Sequence, residues 1–429
     1  MKKINIKGVN EILYHETLSN GLNIYLLPNN QVKNYYITFT THFGSLDTEF
    51  KKNNEVSFTK VPNGVAHFLE HLTFKMEDGD ASDYFSSIGC QSNAYTSYKI
   101  TSYLVYGYKN FKEALDYQLT YVQSPYYTEE NVRDEKGIIC EEVKMRMDMP
   151  GVTLMTATNN AIFRNDHRKN LLTGTTKDVK STTLKDIMAC YNAFYHPSNM
   201  FLVITGNFNP EEALAIIEEN QSKKEFSKPV EIKRKKITEP KEVVEHEIIK
   251  TCNVEIDKAT VAIKIPKSNF KSLNLSDVEL NIYISIIINS MFGRSSEIRE
   301  QLVSGNVVND GIYVNKYFTD EYLIITITSE TPYKERFLRV IKDGIKNITI
   351  SEEDLIRKKR VALSNYIISF DDIEETNQNI VDNITLYGEY IDNVYDIYNS
   401  INIDTASKIA KKLISDNIAV AIITKKESE

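Results

Sequence analysis

The order of sequence patterns in the first half of the chain is repeated in the second half. The segment 126–147, a polar turn followed by a long helical pattern, has a counterpart at 348–369. The apolar strand pattern at 199–206 has a counterpart at 417–424. A repeat that mixes helical and strand periodicities predicts a duplicated domain. We therefore expect an α+β protein with two tandem homologous domains of similar topology, each an antiparallel-rich sheet covered by helices.

A charged segment separates the two halves. Residues 221–246 are dense in lysine and glutamate, include Pro229 and Pro240, and contain few large apolar side chains. This composition is typical of a solvated linker between packed regions. The predicted domains are therefore residues 1–220 and residues 247–429, with the charged linker between them.

The bulk composition disfavours several classes of protein. The net charge is −8 and the isoelectric point is near 5.6, which argues against nucleic-acid binding, because that function usually needs a basic face. No stretch approaches the roughly 18 apolar residues of a membrane helix, and the N-terminal residues show no apolar core of a secretory signal. We expect a cytoplasmic protein without nucleic-acid or membrane partners. Reduced thiols are expected at the four widely spaced cysteines, Cys90, Cys140, Cys190 and Cys252.

The segment GVAHFLEHLTFK, residues 64–75, carries two of the seven histidines of the chain. Helical residues four apart share one face, so His67 and His71 are placed to bind one tetrahedral zinc ion. Glu70 points to the same side, where it can accept a proton from the attacking water. This is the H-x-x-E-H order of an inverted zincin. The alternative is a pair of solvated histidines on an ordinary surface helix.

A catalytic zinc ion usually has a third protein ligand, and here a carboxylate is the best candidate. Glu135 and Glu142 are seven residues apart, on one face of a predicted helix, whereas Glu141 points about 100° away. One of the two aligned glutamates can bind zinc, and the other can orient a histidine through its free N–H. The isolated histidines are expected to be structural or surface residues; they are His42, His167 and His196.

The second half of the chain has no comparable cluster. When the halves are aligned, the helix of His67 and His71 corresponds to the apolar segment 280–293, and Glu142 falls opposite Asn365. A cluster that was needed only for folding would be expected in both halves. The difference therefore indicates a functional site in the first domain and a second domain that lacks zinc ligands.

Four motifs follow one another along the chain: HFLEH at 67–71, SNAYTS at 92–97, EKGIICEEVKM at 135–145 and FYHPSNM at 194–200. In this order they resemble the pitrilysin-type zinc peptidases, the inverted zincins that include insulinase and mitochondrial processing peptidase. The resemblance spans nearly the whole chain and is strongest over residues 20–210. It is greatest to bacterial half-length members that work as heterodimers.

The resemblance implies a role for each residue of the cluster. It implies that His67, His71 and Glu142 bind one Zn²⁺ per chain, that Glu70 is the general base and that Glu135 is a supporting acid. The motif SNAYTS resembles the family's edge strand, to which a peptide substrate adds as a further β-strand. The substrate-binding candidates, for which an ordinary strand is the alternative, are Asn93, Ala94, Tyr95 and Thr96.

One segment departs from the family pattern. Many members carry an Arg and a Tyr in the second half, in a motif like R-G-x-x-Y, that grip the substrate. Here Ser304 precedes Gly305, and Val308 stands where the Tyr would be; Tyr313 is near but out of place. This implies a heterodimer with a homologous subunit that lacks the zinc motif and supplies the Arg/Tyr pair, although a homodimer is also compatible.

The function implied is that of a zinc metalloendopeptidase subunit, one half of a clamshell that cleaves unfolded peptides or peptide precursors inside an enclosed chamber. Two alternatives remain open on the sequence. The chain could be a non-catalytic peptide-binding or scaffold subunit of the same kind of assembly. It could also be a hydrolase that uses the same zinc chemistry on a substrate other than a peptide.

Overall fold

The computed structural model describes residues 1–229, 231–309 and 311–426. Val230 of the predicted linker, Asp310 and the last three residues of the predicted second domain therefore lie outside the described residues. The strands are β1 (Lys2–Ile6), β2 (Glu11–Thr17), β3 (Asn23–Pro28), β4 (Tyr35–Thr41), β5 (Glu49–Lys52), β6 (Thr59–Lys60), β7 (Lys75–Met76), β8 (Gly79–Asp80), β9 (Gln91–Thr96), β10 (Thr101–Gly107), β11 (Met200–Gly206), β12 (Ile232–Arg234), β13 (Glu247–Cys252), β14 (Lys258–Pro266), β15 (Ile312–Phe318), β16 (Tyr322–Glu330) and β17 (Ile418–Lys425). The helices are α1 (Val65–Thr73), α2 (Ala81–Ser87), α3 (Phe111–Val122), α4 (Glu129–Met147), α5 (Pro150–Ile162), α6 (Thr176–Ser181), α7 (Leu184–Phe194), α8 (Pro210–Ser222), α9 (Asp277–Phe292), α10 (Glu297–Ser304), α11 (Lys334–Lys346), α12 (Glu352–Ile368), α13 (Ile373–Tyr387), α14 (Val394–Ser400) and α15 (Ile403–Leu413).

The chain forms two compact units that interleave along the sequence. The first unit comprises Met1–Lys144, Leu171–Lys236 and Ile367–Asn393. The second comprises Met145–Asn170, Ile237–Tyr366 and the described residues from Val394 onward. The sequence instead predicted two contiguous domains separated by the charged linker, residues 221–246. The difference arises because α13 packs onto β4 and β11 of the first unit, whereas α5 packs onto β13, β14 and β17 of the second.

The first unit is built on a seven-stranded sheet in the order β1-β2-β3-β11-β4-β10-β9. Neighbouring strands are antiparallel except β3 and β11, which are parallel. Side chains alternate along β4, so Ile37 and Phe39 enter the main core with α1 and α3, while Thr38 faces α13. Helices therefore cover both faces of the central strands, and β4 and β11 are buried at every residue.

Helix α13 is held on its sheet face by a buried amide. The hydroxyl of Thr38 donates to Oδ1 of Asn377 at 2.6 Å. The Nδ2 of Asn377 donates to the backbone carbonyls of Tyr36, at 3.3 Å, and Val203, at 3.2 Å. Because these groups are buried and paired with one another, a shift of α13 along the sheet would leave polar atoms unsatisfied. These hydrogen bonds therefore specify where the helix sits.

The second unit repeats the topology of the first. Its five-stranded sheet has the order β13-β17-β14-β16-β15, with β13 and β17 parallel and the other neighbours antiparallel. Strand for strand, this matches the order β3-β11-β4-β10-β9 of the first unit. The prediction of an α+β protein with two domains of similar topology, each an antiparallel-rich sheet covered by helices, is confirmed.

The predicted linker contains ordered structure. Helix α8 extends into it as far as Ser222, and β12 pairs antiparallel with β5. The guanidinium of Arg234 donates to the carboxylate of Asp47 and to the backbone carbonyl of His42, both at 2.5 Å. The sequence did not predict β12, because a three-residue strand in a charge-dense segment has no alternating apolar pattern.

A buried ion pair holds the segment by which the chain enters the second unit. The ammonium of Lys264 lies 2.9 Å from Oε1 of Glu239, and their side chains are 0% and 5% exposed. The same carboxylate accepts the backbone N–H groups of Arg164, Asn165 and Asp166 at 2.7 to 2.9 Å. The buried negative charge is therefore compensated by one cation and three amide dipoles.

We expect Glu239→Gln to destabilise the protein by about 3 to 5 kcal/mol, because it leaves Lys264 buried without a counter-charge. Urea-induced unfolding of the variant and the wild type measures this loss. The double variant with Lys264→Met should lose less stability than the sum of the two single variants, since removing both charges leaves none uncompensated. Additive losses would contradict the assigned pairing.

Candidate metal centre

The helix that carries the histidine pair begins at a glycine. Gly64, the N-cap of α1, has a φ of +79°, a conformation that strongly favours glycine. A Cβ at this position would lie 2.1 Å from the carbonyl oxygen of Thr173. Helix α1 begins at this close backbone contact and buries Val65, Phe68 and Leu69 in the core of the first unit. The position of the helix is therefore set by backbone contact at its start and by packing along its length.

Helices α1 and α4 bring together two histidines and a glutamate. One ligand atom each from His67, His71 and Glu142 lie within 4.8 Å of one another, and no other such group occurs among the described residues. The Nε2 atoms of His67 and His71 lie 3.5 and 3.4 Å from the two carboxylate oxygens of Glu142. Two imidazole nitrogens and one carboxylate oxygen are a donor set typical of a catalytic zinc site. The residues present fit zinc.

Glu135 contacts His71 but is not one of the three residues of the donor set. Its Oε1 is 2.9 Å from Nδ1 of His71, and the glutamate is buried. A carboxylate that accepts the N–H of a ligand histidine orients the ring and makes the other nitrogen a better donor. By contrast, Nδ1 of His67 is buried without a hydrogen-bond partner in the described part of the chain. The residues alone left the roles of Glu135 and Glu142 open, whereas the family resemblance implied Glu142 as the ligand. In the structure, only Glu142 of the two lies beside both Nε2 atoms.

The charges around His71 favour a cation at this site. Burial by itself lowers the pKa of His71, but the hydrogen bond and negative charge of Glu135, together with Glu70 and Glu142, raise it above its ordinary value. Three carboxylates and two imidazoles in a partly buried space therefore create a negative field. A divalent metal ion would compensate this charge.

Glu70 faces the same space as the histidine pair. A cavity of about 280 Å³ is lined by Glu70, His71 and Glu135 on one side and by Asn93 and Ala94 of β9 on another. Glu70 is 9% exposed as a residue, and its carboxylate is not part of the three-residue donor set. A carboxylate next to a metal site but outside its ligands is suited to move protons.

Strand β9, which holds the substrate-binding candidates, is the edge strand of the seven-stranded sheet. Its side chains have different environments. The hydroxyl of Tyr95 contacts the side-chain amide of Gln378 on α13, at 3.1 Å. Thr96 points to the opposite face, where its hydroxyl donates to Oε2 of Glu70 at 2.5 Å. The edge of β9 lies beside the candidate metal centre, but the side chain of Thr96 is engaged by Glu70.

Three contacts at this site were not predicted from the sequence. The ammonium of Lys75 lies 3.9 Å from Oε2 of Glu135 and 3.1 Å from the carboxylate of Asp80. The contact between Thr96 and Glu70 was also not foreseen. Lys75 lies beyond the end of α1, in the short strand β7, so helical spacing gave no signal for its contact with Glu135. The Thr96 contact had no local signal, because strand packing brings the two residues together.

The isolated histidines His42 and His196 lie outside the donor set. Burial and the positive charges of Arg234 and Lys99 lower the pKa of His42 to about 4, so this histidine is neutral. The ring of His196 caps a short 3-10 turn and contacts the backbone carbonyl of Ser227 at 2.8 Å.

All four cysteines are free thiols. In the described chain, no helix combines the length and apolarity required to span a membrane.

Comparison with known proteins identifies the family. The family model described as Insulinase (Peptidase family M16) matches residues 58–176, which include the candidate metal centre, and the model described as Peptidase M16 inactive domain matches residues 181–361. An uncharacterized zinc protease, YmfH of Bacillus subtilis (strain 168), is 33% identical over 367 residues, covering 84% of this chain and 85% of the relative. The chain belongs to the insulinase family, peptidase family M16. The resemblance drawn from the four sequence motifs is therefore confirmed.

Other members of the M16 family agree with this assignment. The zinc protease PqqE of Helicobacter pylori is 23% identical over 330 residues, covering 74% of this chain and 69% of the relative. The crystal structure of a putative M16-like peptidase from Alicyclobacillus acidocaldarius superimposes with a TM-score of 0.91 at 26% identity, covering 97% of this chain and 99% of that one. This M16 chain therefore shares its fold with solved M16-like proteins along almost its whole length.

Proposed function

We propose that this chain is the zinc-binding, catalytic subunit of an M16 peptidase. The observation that carries the proposal is the convergence of His67, His71 and Glu142, whose ligand atoms lie within 4.8 Å of one another, with Glu70 facing the same cavity. The family supports it, since its relatives are named zinc proteases. One Zn²⁺ per chain would be held by the three residues, with Glu135 orienting His71.

The residues of this chain would share the catalytic work as follows. The chemistry that zinc supplies when bound is Lewis-acid polarisation of the scissile carbonyl and acidification of the attacking water. Glu70 takes the proton of that water and delivers it to the leaving amine. Glu135 holds the ring of His71 through Nδ1, so that Nε2 stays aimed at the ligand cluster.

The proposed substrate is an extended, unfolded peptide. Strand β9 is an edge strand next to Glu70 and His71, so an added peptide strand would run past the site. Backbone hydrogen bonds to an open sheet edge bind peptides with little dependence on their sequence. The segment Asn93–Thr96 is the part of the edge proposed to hold the residues around the scissile bond.

We further propose that a second subunit completes the active site. The position where many members of the family carry a substrate-gripping tyrosine is Val308 here, and this side chain is 3% exposed. A homologous partner that lacks the zinc motif but carries an Arg/Tyr pair would supply this function. The two chains would then enclose the peptide in a chamber that excludes folded proteins.

Peptidase activity of defined mixtures tests this proposal. The zinc-loaded chain is incubated with an unstructured peptide library, alone and with half-length homologues that lack H-x-x-E-H. Cleavage in the mixture that is lost with Glu70→Gln supports a catalytic subunit completed by a partner. Cleavage by the chain alone contradicts the need for a different subunit that supplies the Arg/Tyr pair, and favours a homodimer. Zinc binding without cleavage in any combination favours a non-catalytic, peptide-binding subunit.

We expect Glu135→Gln to weaken zinc binding by about 10- to 100-fold, because the amide no longer offers a charged acceptor to Nδ1 of His71. Competition with a chromophoric chelator measures the zinc affinity. Glu141→Gln is the matched control on the same helix, since Glu141 is exposed and pairs with Lys144. Equal zinc affinities for the two variants would contradict the role assigned to Glu135.

A further inference from the structure

The hydroxyl of Thr96 has a single proton, and its surroundings decide which acceptor receives it. Oε2 of Glu70 lies at 2.5 Å from Oγ1 of Thr96, whereas Oγ1 of Thr101 lies at 3.4 Å. Thr101 donates its own proton to the backbone carbonyl of Phe43 at 2.9 Å. Thr96 therefore donates to the carboxylate of Glu70.

The elements that carry this contact hold it in place. Thr96 pairs directly with Thr101 of β10, so its backbone belongs to the hydrogen-bonded ladder of the sheet. Its branched side chain has few allowed rotamers on a strand. Glu70 lies on the buried helix α1 and is 9% exposed. Its terminal torsion is intrinsically soft, so the helix alone does not fix the orientation of its carboxylate.

We propose that Thr96 is a positioning residue that anchors one oxygen of Glu70 and leaves the other free to take the proton of the attacking water. This inference rests on the proposed function of Glu70 as general base. Thr96 therefore has a different role from the substrate binding expected from the sequence. A substrate strand would pair with the backbone of β9, whereas the hydroxyl of Thr96 is turned toward Glu70.

The proposed role differs in its consequences from substrate binding and from a purely structural role. Loss of the anchor lets the carboxylate of Glu70 sample orientations that do not face the water, which lowers kcat and leaves KM unchanged. Loss of a substrate contact raises KM instead. Loss of a structural contact lowers the stability or the zinc affinity. Because His67, His71 and Glu142 are untouched, zinc affinity separates the proposed role from general damage to the site.

The experiment compares Thr96→Val, which keeps the shape of the side chain, with Thr96→Ser, which keeps the hydroxyl. In the active assembly, Thr96→Val should lower kcat by about 10- to 100-fold, in line with the cost of misplacing a catalytic group by about 1 Å. Its KM and zinc affinity should stay within about twofold of wild type, and Thr96→Ser should recover most of the lost kcat. Thr38→Val is the matched control, since it removes a buried threonine hydroxyl from the same sheet on the face covered by α13, away from Glu70. It should lower the stability, because it leaves Oδ1 of Asn377 without its donor, but it should not lower kcat.

Crystal structures of the same variants provide a test that does not depend on activity. The carboxylate of Glu70 should take one orientation in the wild type and in Thr96→Ser, and several in Thr96→Val. A single unchanged orientation in Thr96→Val overturns the proposal, as does a raised KM with unchanged kcat. If the wild type cuts no peptide in any assembly, the proposed function fails, and the crystal structures still decide whether Thr96 orients Glu70.

Discussion

Replacing Glu70 with glutamine is expected to lower kcat for peptide hydrolysis by about 100- to 10,000-fold, the contribution typical of a general acid–base group. The amide is nearly the same size as the carboxylate and can still accept the hydrogen bond from Thr96, but it cannot take a proton from water. Glu70 is outside the three-residue donor set, so the variant should bind zinc with nearly unchanged affinity. Steady-state kinetics with an unstructured peptide, at matched zinc occupancy, measures the effect.

The control for this prediction is a glutamate on α4 that lies outside the site. Glu141→Gln removes an exposed carboxylate next to Glu142 without touching the donor set. Its activity should stay within about twofold of wild type. Full activity of the Glu70→Gln variant in a zinc-loaded assembly would show that another group takes the proton, and would exclude the mechanism proposed for this chain.

The second large effect is expected at the proposed zinc ligands. His67→Ala should lower the zinc affinity by more than the roughly 100-fold that marks the upper range for loss of a supporting residue, because one of the three proposed protein ligands is removed. The loss should appear both in chelator competition and as a smaller zinc-induced rise in melting temperature, since ligand binding stabilises the folded state in proportion to its affinity. Peptidase activity should fall to the level of the zinc-free protein.

A second histidine provides the matched control. His196 lies outside the donor set, and its Nδ1 accepts the backbone N–H of Ser198 at the start of a short turn. Asparagine can accept the same backbone N–H but loses the contact of the ring with the carbonyl of Ser227. His196→Asn should therefore preserve zinc affinity and activity while costing some stability. If His67→Ala bound zinc as tightly as His196→Asn, the metal site would have to lie elsewhere in the chain.

Much of the candidate site could be predicted because it depends on local geometry. The four-residue spacing of His67 and His71, and the seven-residue spacing of Glu135 and Glu142, place each pair on one helix face whatever the rest of the chain does. The residues alone left open which glutamate joins the histidines, because that depends on how α4 lies against α1. Packing of the two helices brings Glu142 to both Nε2 atoms and Glu135 to Nδ1 of His71.

The sequence did not predict that α13 belongs to the first unit and α5 to the second. Helix α13 packs on the sheet of the first unit, although it lies more than 160 residues after β11 in the chain. One of its contacts with the sheet is made by the buried amide of Asn377. The partners of this amide, Thr38, Tyr36 and Val203, are distant from it in sequence. No periodicity or composition encodes such pairing, so the sequence predicted contiguous domains.

The sequence by itself determined the duplicated α+β architecture, the family and the identity of the ligand-type residues, because these depend on local periodicity and on motifs of fixed spacing. The tertiary structure decided which carboxylate oxygens lie beside which imidazole nitrogens, which helix covers which sheet and which side chain Thr96 contacts. The physical reason is that hydrogen bonds act over about 3 Å, whereas the residues concerned are separated by 26 to more than 300 positions in the chain. Only the packed fold brings such groups within that distance.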